Sequence, residues 1–141
     1  MRIWHKDLID VLPDKLLMDL WDTCCIVARR IMHNGFTGDW CSSRIAQYSV
    51  EEFWAYARLV HQEITGREIQ CNFGEFAKWF PNLYGQFEEI TDRDDIFKDW
   101  HTGRYLWQCY SELEERMDCG QIKFEDWIEI AERMSEVSII G

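Results

Sequence analysis

The stretch "LPDKLLMDLWDTCCIVARRIMHNG" (residues 12–35) decides the fold class. Leu16, Leu20, Cys24, Val27 and Ile31 recur at steps of three and four, with Leu17, Trp21 and Ala28 beside them. That spacing makes one broad apolar stripe over about five turns of an amphipathic helix. Pro13 suits the first helical position, where its missing N–H costs nothing, and Asn34-Gly35 suits a stop.

Working outward, the same period returns. In "SVEEFWAYARLVHQEITG" (residues 49–66), Ser49 and Glu52 form a capping box. Val50, Phe53, Ala57, Val60 and Ile64 make the stripe, and Gly66 closes it. "NFGEFAKWFP" (72–81) predicts a short helix with Asn72 as cap, Glu75 at the third position and Pro81 at its end. "HTGRYLWQCYSELEERMDCG" (101–120) carries a long helix striped by Leu106, Cys109, Tyr110, Leu113 and Met117 and stopped at Gly120. A last helix starts near Lys123, with Phe124, Trp127, Ile128, Ala131 and Met134 expected inward. "NGFTGDWCSSRIAQY" (34–48) and "NLYGQFEEITDRDD" (82–95) read as loops. No alternating run bounded by turns makes a sheet, and no repeat is visible. The expectation is an all-α protein, a single compact domain of about five helices over residues 1–141.

Composition agrees. Nearly half of the 141 residues are hydrophobic, and eight tryptophans bring enough apolar area for one substantial core. No stretch reaches the roughly 18 apolar residues of a membrane helix, and the start lacks the apolar core and cleavage site of a secretory signal. The expected setting is soluble and cytoplasmic, without a membrane partner. Cys24-Cys25 are adjacent, and no C-x-x-C pair occurs among the six cysteines, so reduced thiols are expected. The four histidines are scattered, which predicts neither a metal site nor a cofactor.

The formal charge of −11 is unevenly spread. Residues 1–70 hold eight Lys/Arg against ten Asp/Glu, whereas residues 71–141 hold seven against sixteen, a net of −9. A duplex-binding face would have to come from the first half, through Arg2, Lys6, Lys15, Arg29, Arg30 and Arg44.

There is no G-x-S-x-G, Walker loop or G-x-G-x-x-G, so subtler groups must carry any chemistry. "ELEERMD" (112–118) reads as the solvated face of a helix. Arg29 and Arg30 either complement a helix dipole or contact phosphate. His101, Arg104, Tyr105, Trp107 and Tyr110 form a turn-to-helix unit that could stack a base or simply pack a core. The first residues, "MRIWHKDLIDVLP" (1–13), are unusual in another way. Chain starts are commonly disordered and polar, yet Ile3, Trp4, Leu8, Ile9, Val11 and Leu12 are built to be drawn into a fold.

"MRIWHKDLIDVLP", "LWDTCC" (20–25), "DWHTGRYLWQCY" (99–110) and "MDCGQI" (117–122) together resemble the pyrimidine-dimer DNA glycosylases, the endonuclease V type of bacteriophage and bacterial relatives. The resemblance implies a compact helical enzyme of DNA repair that flips a damaged pyrimidine nucleotide out of double-stranded DNA. The chain's own α-amine then attacks C1′ of the sugar. Base is displaced, a Schiff base forms, and AP lyase chemistry cleaves the strand. An α-amine has a reference pKa of about 7.7–8.0, so a useful fraction is neutral at physiological pH.

Carried over by position, the nucleophile is the amine of Met1. Arg2 falls near substrate phosphates or base, with His5, Lys6, Arg29 and Arg30 as further DNA-binding candidates. Trp4, His101, Arg104 and Tyr105 are candidates for a base-stacking pocket. The resemblance also implies an Arg-Glu pair just before the cysteines, the glutamate assisting ring opening and proton transfer. This chain has Asp22-Thr23 there. Asp22 is the carboxylate left to act, rotated by roughly 100° from the expected place. Reduced or lost activity is therefore part of the expectation. The alternative is a non-catalytic acidic binding protein that reuses the fold: a DNA mimic on a basic protein surface, a nucleotide binder, or a phage counter-defence inhibitor.

Overall fold

The computed structural model describes residues 2–33, 40–81, 90 and 92–140. Among them are six α-helices, two 3₁₀ segments and no strand. The apolar stripe from Leu16 to Ile31 forms α1 (Asp14–His33). Leu17, Leu20, Cys24, Val27 and Ala28 are all at most 1% exposed, so the predicted face is the buried face. Its predicted stop at Asn34-Gly35 lies outside the described residues.

α3 (Val50–Gly66) begins with the capping box as read. The Ser49 hydroxyl accepts from the Glu52 N–H, and the Glu52 carboxylate accepts from the Ser49 N–H. At its far end Arg67 donates to the Leu12 carbonyl at 2.7 Å and to Asp14 at 2.9 Å, clamping α3 to the start of α1. α1 packs on α3, α2 (Trp40–Ile45) and α4 (Gly74–Ala77). α5 (Gly103–Asp118) packs on α6 (Phe124–Ile140). α5 ends as predicted at Gly120, whose φ of 77° is left-handed and free of strain only for glycine.

Three expectations need correction. The stretch 34–48 is not all loop, since α2 lies within it. α4 is only one turn long: Asn72 accepts from the Gly74 N–H in a local turn, but Phe73 is the capping position. In α6 the inward face is Ile130 and Met134, with Trp127 and Val137 packed alongside. Phe124 is 63% and Ile128 40% exposed, against expectation. Both sets satisfy a 3.6-residue period; the 3₁₀ segment Lys6–Val11 and α5, on which α6 packs, select one.

The core between α1, α3 and α4 is aromatic. Phe53, Phe76 and Phe80 are buried with Trp21 and Trp54, their rings in edge-on and tilted contacts 5.0–6.3 Å apart. Away from this mass, Lys15, Asp19, Asp22 and Arg29 of α1 stay exposed.

Candidate active site

The first residues do enter the fold, and polar side chains hold them there. Tyr105 of α5 donates its hydroxyl to the Ile3 carbonyl at 2.5 Å. Tyr56 of α3 does the same for the Trp4 carbonyl. The Lys6 N–H donates to His101 Nδ1 at 2.9 Å, and Arg93 donates to the Lys6 carbonyl. Arg133 of α6 donates to the Asp7 carbonyl at 2.7 Å. Such satisfaction is obligatory for buried backbone polar groups; here it also fixes where residue 2 stands.

Arg2 and Trp4 stand on the wall of a cleft of about 310 Å³. α1 supplies Leu16, Asp19, Leu20, Asp22 and Thr23, and α5 supplies Glu112 and Arg116. The Arg2 guanidinium is ion-paired with Glu112, which also meets Arg116 at 3.4 Å. Both arginines lie 5.6 Å from the Trp4 ring centroid, within cation–π range.

Asp22 is exposed and lines this cleft. Thr23 lines it too but is only 5% exposed, and its hydroxyl donates to the Asp19 carbonyl one helical turn back at 2.9 Å. That bond commits the hydroxyl to the helix backbone. Met1, the expected nucleophile, lies outside the described residues.

The remaining candidates separate into groups. His5 and Lys6 are buried rather than presented to a ligand. His5 Nδ1 accepts from the Asp7 N–H, and its ring stacks on His101 at a centroid distance of 4.9 Å. The Lys6 ammonium donates to the Ile96 carbonyl at 2.7 Å and the Asp94 carbonyl at 3.3 Å. Their sequence position beside Arg2 suggested a basic face, but the 3₁₀ turn points both inward. Burial, reinforced by His5, Lys6 and Arg44, pushes the His101 pKa down to about 2, so its imidazole is neutral.

Arg29 is exposed and Arg30 half-buried on α1, two turns beyond Asp22 and Thr23 and therefore about 10 Å further along the axis. Arg104 is exposed on a second concavity of about 280 Å³, with Arg44, Asp99, Trp100, Thr102, Tyr105 and Gln108. Tyr105 lines this concavity, and its ring centroid lies 5.9 Å from the Arg2 guanidinium. Burial raises its phenol well above the ordinary value, so it stays a donor.

Sequence reasoning missed Glu112 and Arg116. The solvated face expected of "ELEERMD" holds for exposed Glu114, Glu115 and Asp118. The i, i+4 spacing of Glu112 and Arg116 was the available signal, but nothing local said that Arg2 would meet them.

With this geometry in hand, comparison with known families is specific. The model of the pyrimidine dimer DNA glycosylase family matches residues 1–74, a little over half of the chain. The chain belongs to this family. No curated protein and no solved structure matches it. The family match takes in the N-terminal segment and α1 through α3, hence Arg2, Trp4, Asp19, Asp22 and Thr23. The opposite wall, with Glu112 and Arg116, lies beyond it. Among the described residues no helix is long and apolar enough to cross a membrane, and no cluster of three metal-ligating side chains occurs.

Proposed function

We propose that this family member acts on damaged pyrimidine nucleotides in duplex DNA as a glycosylase and AP lyase, with the Met1 α-amine as nucleophile. One observation carries the reading: the family's N-terminal segment is tied down at residues 3, 4, 6 and 7, and the next residue toward the start, Arg2, lines the cleft between α1 and α5.

Amine attack on C1′ forms a C–N bond as the glycosidic bond breaks and the nucleobase leaves with a proton; the C1′–O4′ bond then opens, O4′ taking up a proton, to give the iminium. A base then removes a C2′ proton, and the C3′–O bond breaks as the new double bond forms. The described cleft offers Asp19, Asp22 and Glu112 as carboxylates for proton transfer, with Arg2 and Trp4 for phosphate and base. With Thr23 on α1 where a glutamate is expected, turnover is slow. Borohydride reduction of the protein on an abasic-site duplex tests this. A covalent adduct that maps to Met1 is the expected result. Absence of an adduct, where an active family enzyme gives one, sinks the reading.

A second reading has its own support. The −9 charge of residues 71–141 covers exposed faces of α5 and α6, through Glu114, Glu115, Asp118, Glu125, Glu129 and Glu132. An acidic, non-catalytic protein that docks on a basic protein surface would present such faces. Duplex binding that weakens steeply with salt argues against it.

A further inference from the structure

The Arg2–Glu112–Arg116 arrangement is more than a surface ion pair. Its two guanidiniums come from positions 114 residues apart and converge on one carboxylate. Both lie over Trp4, whose indole is only 3% exposed and backs the group with an apolar surface. The three charged side chains remain 29–36% exposed, and all line the open cleft. Two forked donors converging over an aromatic floor make an anion seat, and phosphate oxygens suit guanidinium forks as well as carboxylates do. Glu112 presents the only carboxylate bonded to both arginines among the described residues.

We propose that Arg2, Trp4 and Arg116 form a seat for one phosphate of the damaged strand, which Glu112 fills until the phosphate displaces it. The identity of the strand as ligand rests on the function proposed above; the seat itself rests on the geometry. Ion pairs that keep this much solvent contact contribute little net energy, so exchange of one anion for another is accessible. Glu112 thereby sets a threshold: a lone weak anion does not replace it, whereas a phosphate held by neighbouring contacts does.

The test is binding of a duplex containing a tetrahydrofuran abasic analogue, measured by anisotropy from 50 to 200 mM salt. Glu112→Gln should bind at least tenfold tighter than the wild type. Its plot of log K against log salt should steepen by about 0.9, the value for one additional phosphate neutralised. Glu115→Gln removes the same charge from the same helix outside the cleft and should gain less than threefold. Adding Arg116→Gln to Glu112→Gln should reverse the gain. If Glu112→Gln fails to fold, Glu112→Asp, which shortens the reach, should gain at least threefold. Equal behaviour of the position 112 and 115 variants overturns the seat while leaving the glycosylase reading intact. If neither wild type nor variants bind duplex, the DNA reading falls, and calorimetry with thymidine 3′,5′-bisphosphate decides the seat alone. Saturable binding to Glu112→Gln that Arg116→Gln abolishes supports it; no binding overturns it.

Discussion

The hydroxyl of Tyr105 donates to the carbonyl of Ile3, 102 residues away, at 2.5 Å. It is the tie closest in sequence to Arg2, and both groups are buried. Tyr105→Phe leaves that carbonyl without its partner, which costs about 1–3 kcal/mol. Urea unfolding should show that loss. Schiff-base trapping should fall by more than the change in folded fraction, because the segment that carries Arg2 to the cleft loses an anchor.

Thr23 offers a gain-of-function experiment. Its hydroxyl is spent on the Asp19 carbonyl, and its side chain borders the cleft. Thr23→Glu places a carboxylate on that wall. General acid–base groups contribute about 10²–10⁴-fold where well placed, so strand cleavage at abasic sites should rise at least tenfold. A gel assay of cleavage under single-turnover conditions checks it; an unchanged rate would show that this wall does not face the sugar.

Stability should depend on pH through the stacked His5–His101 pair. Burial lowers both pKa values, that of His101 to about 2. The unfolded chain takes up protons below about pH 6.5 while the folded chain does not, so stability is complete above that pH and declines as pH falls. Each histidine contributes a slope of up to about 1.4 kcal/mol per pH unit. Urea midpoints between pH 7 and pH 4 should fall accordingly, and His101→Gln should reduce the slope. A flat profile in the wild type would contradict the placement of this pair.

Arg133 grips Asp10 with two bonds of 2.6 Å and the Asp7 carbonyl with a third, joining α6 to the N-terminal segment. Bidentate pairs exceed ordinary surface pairs, but Asp10 is partly solvated, so Arg133→Met should cost about 1–2 kcal/mol. Arg133→Lys should recover less than half, since an ammonium cannot make the fork. Thermal unfolding of the three proteins measures this.

What was readable in the sequence was local. The α1 stripe, the Ser49–Glu52 box and the Gly120 stop are each set by residues within a turn or two of one another. The phase of α6 was not readable, because Phe124 and Ile128 satisfy helical periodicity as well as Ile130 and Met134 do. Only the packing partners choose between them. The cleft was half readable. Its α1 wall follows from the family's N-terminal pattern, whereas the α5 wall depends on Arg2 meeting Glu112 across 110 positions. His5 and Lys6 failed as surface candidates for a similar reason: their neighbours His101 and Ile96 are some ninety residues distant.

Those ties to residues 3, 4, 6 and 7 come from Tyr105, Tyr56, Arg93, His101 and Arg133, across separations of 52 to 126 residues. During synthesis, residues 3 to 7 are therefore made before every group that holds them. Their full set of ties waits until α6 has been made. Long-range closure of this kind is slow relative to helix formation. A chain cut short before Arg133 keeps α1 and α3 yet loses the tie to the Asp7 carbonyl, so the wall on which Arg2 stands depends on a helix that does not itself line the cleft.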